Sequence, residues 1–328
     1  MRPDRLSIAN LPTRIEKLSC FSEDFSQTLY IKRDDQTGIE FSGNKIRKLE
    51  YAVKEALDNG ADTLITCGGI QSNHCRATAA TAAKLGLQSI LLLRSDIRAF
   101  PQGNHLLDHL LGASIRWVSS GEYARERTQR MEKIAKQLEK EGRKGYIIPE
   151  GASNPIGTFG YFNAFEEILK QEKELGITFD TIVCAVGSGG TYAGLAFANE
   201  YHRSGKKIIG VNICDDAEHF QDVVMSFHEP FCDLLEDTFP LTKEQLQLLD
   251  GYVGRGYALN TPQEMDFLAG FAKRSGIVLD PVYTGKAMRG LFDALGKNHA
   301  LFEKSENILF IHTGGLYGVF PKAGEFSF

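Results

Sequence analysis

Thr181-Ile-Val-Cys-Ala-Val-Gly-Ser-Gly-Gly-Thr191 decides the fold. Its first six residues are almost wholly apolar and rich in β-branched side chains, as in a strand covered on both faces of a parallel sheet. A glycine turn then leads straight into a stretch of helical composition. Gly187, Ser188, Gly189, Gly190 and Thr191 make a concave row of donors at a helix N-terminus, which suits a phosphate. No Gly-Lys-Ser/Thr follows, so this is not a nucleotide P-loop, and Tyr192 stands where a dinucleotide fingerprint needs its third glycine. A tight turn that binds nothing is the bland alternative.

Outward from this segment the same alternation repeats. Thr63–Cys67, Ser89–Arg94, Ser114–Val118, Gly145–Ile148, Ile208–Ile213 and Asn307–Ile311 read as further strands. Arg47–Asn59, Cys75–Leu85, Glu122–Glu141, Gly160–Glu174, Thr191–Arg203 and Thr261–Ser275 read as helices. The pattern predicts an α/β protein with parallel sheets and right-handed crossovers. The strands fall into two groups, about 63–148 and about 181–311, with Gly151-Ala-Ser-Asn-Pro155 as the crossing between two lobes and a cleft between them. No internal repeat is visible, and the acidic stretch 215–250 is too weakly patterned to assign.

Composition limits the function. The chain has 328 residues, long enough for two domains, with 42% hydrophobic and 24% charged residues, which excludes disorder. A net charge of -5 without blocks of like charge leaves no footprint for nucleic acid or an anionic membrane. No run approaches the ~18 apolar residues of a membrane span, and the first residues carry no secretory pattern, so a cytoplasmic protein acting on a small molecule is expected. Its six cysteines contain no C-x-x-C pair, which suggests neither zinc nor a disulfide framework. Glycine is high, at 33 residues, and clustered.

The other clusters also sit at strand-to-helix junctions. Phe41-Ser-Gly-Asn-Lys45 opens a helix, and Lys45 there would feel the helix dipole and the charges of Arg47 and Lys48, all disfavouring its protonated form. Such a lysine suits a Schiff base or a general base, although most lysines are solvated surface residues. In Cys67-Gly-Gly-Ile-Gln-Ser-Asn-His-Cys-Arg76, Ser72 or Asn73 would cap a helix whose free amides suit a carboxylate. Near the C-terminus, Leu279-Asp-Pro-Val-Tyr-Thr-Gly-Lys286 and His312-Thr-Gly-Gly315 would aim Tyr283, Thr284 and Thr313 into the cleft. An amine, a phosphate cradle and polar orienters together match the needs of pyridoxal 5'-phosphate.

In these motifs, with Tyr30-Ile-Lys-Arg-Asp-Asp35 ahead of them, the chain resembles the 1-aminocyclopropane-1-carboxylate deaminase and D-cysteine desulfhydrase family, along nearly its whole length. The resemblance implies the tryptophan synthase β-subunit-like fold (fold type II), with a large cofactor domain of residues 1–47 and 157–328, a small domain of residues 48–156, and a homodimer. It makes Lys45 the Schiff-base lysine, with Asn73 on the cofactor's phenolic oxygen and Gly187 to Thr191 on its phosphate. Asn44, Thr284 and Thr313 complete the cofactor set, and which threonine meets the pyridine nitrogen stays open. Gln71, Ser72, Asn73 and His74 would bind substrate with Tyr257 and Tyr283. Lys286 matches no cofactor position and reads as structural, and His105 and His109, four apart, lack an acidic partner and read as bland.

The deaminases that the chain resembles carry glutamate where Thr284 stands. A carboxylate keeps the pyridine nitrogen protonated, whereas a hydroxyl offers only a neutral hydrogen bond, which disfavours cyclopropane ring opening. The expected activity is therefore β-elimination of D-cysteine to pyruvate, hydrogen sulfide and ammonia, with Lys45, Tyr283 or Ser72 taking the α-proton. The alternatives are the deaminase, an L-cysteate sulfo-lyase, for which a pocket arginine would argue, and an inactive ligand-binding protein on the same fold.

Overall fold

The computed structural model describes residues 2–97 and 100–327. Among them the chain runs β1 (Ile15–Lys17), β2 (Thr28–Lys32), α1 (Lys45–Asp58), β3 (Thr63–Gly69), α2 (Asn73–Lys84), β4 (Gln88–Arg94), α3 (Gly103–Leu110), β5 (Ser114–Val118), α4 (Ser120–Lys140), β6 (Gly145–Ile147) and α5 (Pro155–Leu175). It continues through β7 (Thr181–Val186), α6 (Gly190–Tyr201), β8 (Lys207–Asn212), α7 (Ala217–Leu235), β9 (Gln247–Leu249), α8 (Pro262–Ser275), α9 (Thr284–Gly296) and β10 (Asn307–Ile311).

Two sheets form, ordered β1-β2-β10-β7-β8-β9 and β5-β4-β3-β6. Every pairing is parallel except β1 on β2, where Ile15 faces Lys32. All seven strands expected from apolar runs are present. The stretch 215–250, unassigned from sequence, holds α7 and β9. The apolar face of α7, with Phe220, Val224, Phe231 and Leu235 buried, is interrupted by acidic residues and by Pro230 inside the helix.

Between the sheets the chain passes through Glu150–Ala152, a short 3-10 turn, into α5. Pro155 opens that helix and the Asn154 side chain accepts from the Gly157 amide at 3.0 Å, while Gly176 closes it in the left-handed conformation. Phe159 of α5 is fully buried and stacks on Phe231 at 4.2 Å between ring centres. Truncating a ring so placed costs about 3 to 5 kcal/mol.

The Tyr30–Asp35 motif anchors the first turn of α1. Arg47 grips Asp34 through two hydrogen bonds of 2.8 Å and reaches Glu167 at 2.9 Å, while Lys32 meets Glu167 at 2.6 Å. Thr13 and Tyr161 donate to the same Asp34 carboxylate. Burial works against the Asp34 charge, but Arg47 outweighs it and holds the carboxyl at about 2. A buried pair with every oxygen engaged fixes where α1 begins, two residues before the network at Lys45.

Candidate active site

The carboxyl ends of β3, β7 and β10 meet around one cleft, the usual ligand position in a parallel sheet. Lys45, the first residue of α1, projects into it, and Nζ donates to Asn44 Oδ1 at 3.2 Å. Asn44 Nδ2 in turn donates to Thr191 Oγ1 at 2.8 Å, so the lysine is tied through one amide to the glycine turn after β7. Gly43 makes the approach to Thr313 feasible: its φ is +110°, and a Cβ there would stand 2.6 Å from the Thr313 carbonyl oxygen.

Burial pushes the Lys45 amine down to about 8, against the pull of Asp280 and Glu150 and with a contribution from Arg76. Arg47, expected from sequence as one source of that field, is instead bound to Asp34 and Glu167. Lys48, one turn along α1, is buried, and its Nζ donates to Ser153 Oγ at 3.2 Å. Burial and the neighbouring Lys45 push it well below the usual lysine range.

The turn after β7 leads into α6 with Gly189 as N-cap at φ +82°. Ser188 Oγ meets Ser153 Oγ at 2.8 Å, and the Gly190 amide donates to the same Ser153 hydroxyl at 3.2 Å. Ser72 caps α2, its Oγ accepting from the Cys75 amide at 3.1 Å. The ring of His74 meets the Thr66 hydroxyl at 2.8 Å; because that hydroxyl donates to the Ile148 carbonyl, Nε2 carries the proton. Burial, with Lys45 and Lys48 nearby, keeps His74 far below its usual value and therefore neutral.

Tyr257 and Tyr283 share a hydroxyl contact of 2.5 Å, and the Lys45 amine lies 5.8 Å from the Tyr283 ring centre. Burial pushes Tyr257 up to about 12 and Tyr283 well above the usual phenol value, so both are neutral phenols at ordinary pH. Asp280 accepts from the amides of Val282, Tyr283 and Thr284 and fixes this segment. Lys286 donates to the carbonyls of Val253 and Gly256 and anchors the loop that carries Tyr257.

Among the sequence-predicted residues, the cleft is lined by Asn44, Lys45, Ser72, Asn73, His74, Gly187, Ser188, Gly189, Thr191, Tyr257, Tyr283 and Thr313. Three others stand off it. Gln71 accepts from the Asn104 amide and donates to the Gln102 carbonyl. Gly190 turns its amide to Ser153. The Thr284 hydroxyl is closed in a two-way exchange with Asp280. His105 and His109 meet through their Nε2 atoms at 3.1 Å and do not line the cleft.

Sequence reasoning missed Glu150 and Gly151 in the lining, and Lys48, Ser153 and Asp280 behind it. Lys48 and Asp280 lay inside quoted motifs. Ser153 sat in the stretch read as a crossing, where nothing local marks it as facing Ser188.

The chain matches the family described as pyridoxal-phosphate dependent enzyme over residues 6–314. A Thermotoga maritima protein described as a putative 1-aminocyclopropane-1-carboxylate deaminase is 42% identical over 323 residues, covering 97% of this chain and 98% of that one. The mitochondrial bifunctional D-cysteine desulfhydrase/1-aminocyclopropane-1-carboxylate deaminase of Arabidopsis thaliana is 40% identical over 97% of this chain and 80% of its own. The crystal structure of a 1-aminocyclopropane-1-carboxylate deaminase homologue superposes with a TM-score of 0.89 at 38% identity, covering 99% of this chain and 95% of that one. The chain therefore belongs to the pyridoxal-phosphate-dependent enzymes of fold type II. Within them it is a member of the 1-aminocyclopropane-1-carboxylate deaminase and D-cysteine desulfhydrase family.

Proposed function

We propose that this enzyme removes sulfide from D-cysteine: D-cysteine and water give pyruvate, hydrogen sulfide and ammonia. The observation that carries the choice is Thr284. The resemblance implies glutamate at this position in the deaminases, and here the Thr284 hydroxyl is engaged by Asp280, leaving the neutral Thr313 hydroxyl in the cleft. A neutral partner suits loss of a good leaving group such as a thiol better than opening of an unactivated ring.

The residues fit pyridoxal phosphate. Lys48 is a buried amine with a serine hydroxyl as its hydrogen-bond partner and no carboxylate within ion-pair reach among the described residues. It stands beside Ser153, Ser188 and the glycine turn at the start of α6, a place where a bound phosphate would neutralise it. When bound, the cofactor supplies an electron sink for the charge left at the substrate's α-carbon. Lys45 would hold it, with Asn73 on its ring oxygen and Thr313 toward its nitrogen.

The remaining work falls to side chains. The amine of Lys45, held near pH 8, takes the α-proton, with Tyr283 or Ser72 as alternates. Ser72 and the first amides of α2 receive the substrate carboxylate. The Tyr257 and Tyr283 phenols, both protonated, can pass a proton to the departing sulfur.

The charged side chains lining the cleft are Lys45 and Glu150, with no arginine among the lining residues, which argues against a sulfonate leaving group and so against L-cysteate. A reactive amine pushed down by burial argues against a merely ligand-binding protein. Ring opening is the second reading, favoured by the description of the Thermotoga relative. We include in the proposal the division into residues 1–47 with 157–328 and residues 48–156, whose boundaries fall in the first turns of α1 and α5. A homodimer and a cytoplasmic location belong to it as well; light scattering and cell fractionation test them. Purified protein should carry a visible absorbance that Lys45→Ala abolishes together with pyruvate release; a colourless wild type would overturn the cofactor assignment.

A further inference from the structure

Asn104 is fully buried at the start of α3, and every polar atom of its side chain is engaged. Its Oδ1 accepts from Arg76 Nε at 3.0 Å. Its Nδ2 donates to the Gln71 carbonyl at 3.0 Å and to Asn73 Oδ1 at 2.8 Å. The guanidinium of Arg76 extends in the other direction, donating to the carbonyls of Glu40 at 2.6 Å and Ser42 at 2.8 Å, in the loop that leads to Lys45.

The direction of every bond in this chain is fixed by chemistry. A guanidinium has no acceptor and a backbone carbonyl has no donor, so the Asn104 amide has one permitted orientation. Its NH2 must face Asn73, and Asn73 must answer with its oxygen. Asn73 lines the cleft, so its own NH2 is the group left to face the ligand. An asparagine held only by solvent would present oxygen and nitrogen about equally.

We propose that Asn104 is a positioning residue of the cofactor pocket: by occupying the side-chain oxygen of Asn73 it fixes that amide with its NH2 toward the cofactor's phenolic oxygen, and through Arg76 it couples this orientation to the loop that leads to Lys45. The proposal rests on the reading of Asn73 as the partner of that oxygen. A donated hydrogen bond draws negative charge from the oxygen and loosens the proton it shares with the neighbouring nitrogen, lowering the pH at which the visible band titrates.

The test is a spectral pH titration of the holoenzyme. In Asn104→Asp the new side chain only accepts, so Asn73 must turn its NH2 inward and its oxygen toward the cofactor. The midpoint of the visible band should rise by about one pH unit, the size expected for one hydrogen bond. Asn104→Ser, too short to hold Asn73, should raise it less and serves if the aspartate variant folds poorly. In an Asn73→Ala background neither change should move the midpoint further, since a residue acting only through Asn73 has nothing left to orient. Unmoved midpoints in both single variants, or equal shifts with Asn73 absent, would overturn the proposal. A wild type without any visible band would instead defeat the cofactor reading itself.

Discussion

The hydroxyls of Tyr257 and Tyr283 meet at 2.5 Å although their residues come from a loop and from the segment before α9, which Lys286, Asp280 and the Asn260 amide on the Pro281 carbonyl hold in place. Both phenols are held protonated. Tyr283→Phe should therefore keep the cofactor absorbance and lower kcat about 100-fold, the usual worth of a positioned proton donor. A variant with wild-type kcat would remove the tyrosine pair from the proton path.

Thr284 and Thr313 should separate cleanly. Thr284→Val leaves the buried Asp280 amide without its hydroxyl partner and should destabilise the protein by roughly 1 to 3 kcal/mol. Thr313→Val, of the same shape, should leave the melting temperature nearly unchanged but reduce turnover at least about tenfold through the altered cofactor environment. Thermal melts beside steady-state assays decide this, and the reverse pattern would put Thr284 at the cofactor.

Much of this was legible in sequence because it depends on local pattern. β3, β4, β7, β8 and β10 are short apolar runs, and the glycine turns after β3 and β7 each announce a helix start. β1 and β9, three residues each, carry too few positions for any period to emerge. The relay from Arg76 through Asn104 to Asn73 was hidden for another reason. Asn104 lies 28 residues from Arg76 and 31 from Asn73, and only packing of α3 on α2 brings it to them. The choice between Thr284 and Thr313 stayed open in sequence for the same reason, since a hydroxyl's direction depends on which neighbour claims it, for Thr284 Asp280.

Acid should unfold the protein partly through Asp34. Its folded value of about 2 lies below the ~3.9 of an unfolded aspartate, so its contribution is complete above pH 4 and is lost as pH falls toward 2. Asp34→Asn should flatten the pH dependence of stability in that window. Arg47→Met, which leaves the buried Asp34 without its contacting cation while Glu167 keeps Lys32, should cost about 3 to 5 kcal/mol at pH 7. Urea titrations from pH 2 to 7 check both, and an unaltered acid slope in Asp34→Asn would contradict the pairing.

Lys45 gives the opposite sign. Its folded value of about 8 lies below its ordinary 10.5, so the fold without cofactor is penalised for carrying the ammonium below pH 8, and the penalty disappears as pH rises to 10.5. Cofactor-free Lys45→Met should melt above cofactor-free wild type at pH 7, with the gap closing between pH 8 and 10.5. A gap constant across that range would mean that the amine is not desolvated.

The most direct measurement compares sulfide and pyruvate release from D-cysteine with ammonia release from 1-aminocyclopropane-1-carboxylate, using the same holoenzyme and with L-cysteine and L-cysteate alongside. D-cysteine should show the highest kcat/KM, by at least about tenfold over the cyclopropane, a barrier difference of about 1.4 kcal/mol. Faster ring opening than sulfide release would contradict the assignment, because a neutral threonine in the cleft would then suffice for the chemistry it was held to disfavour.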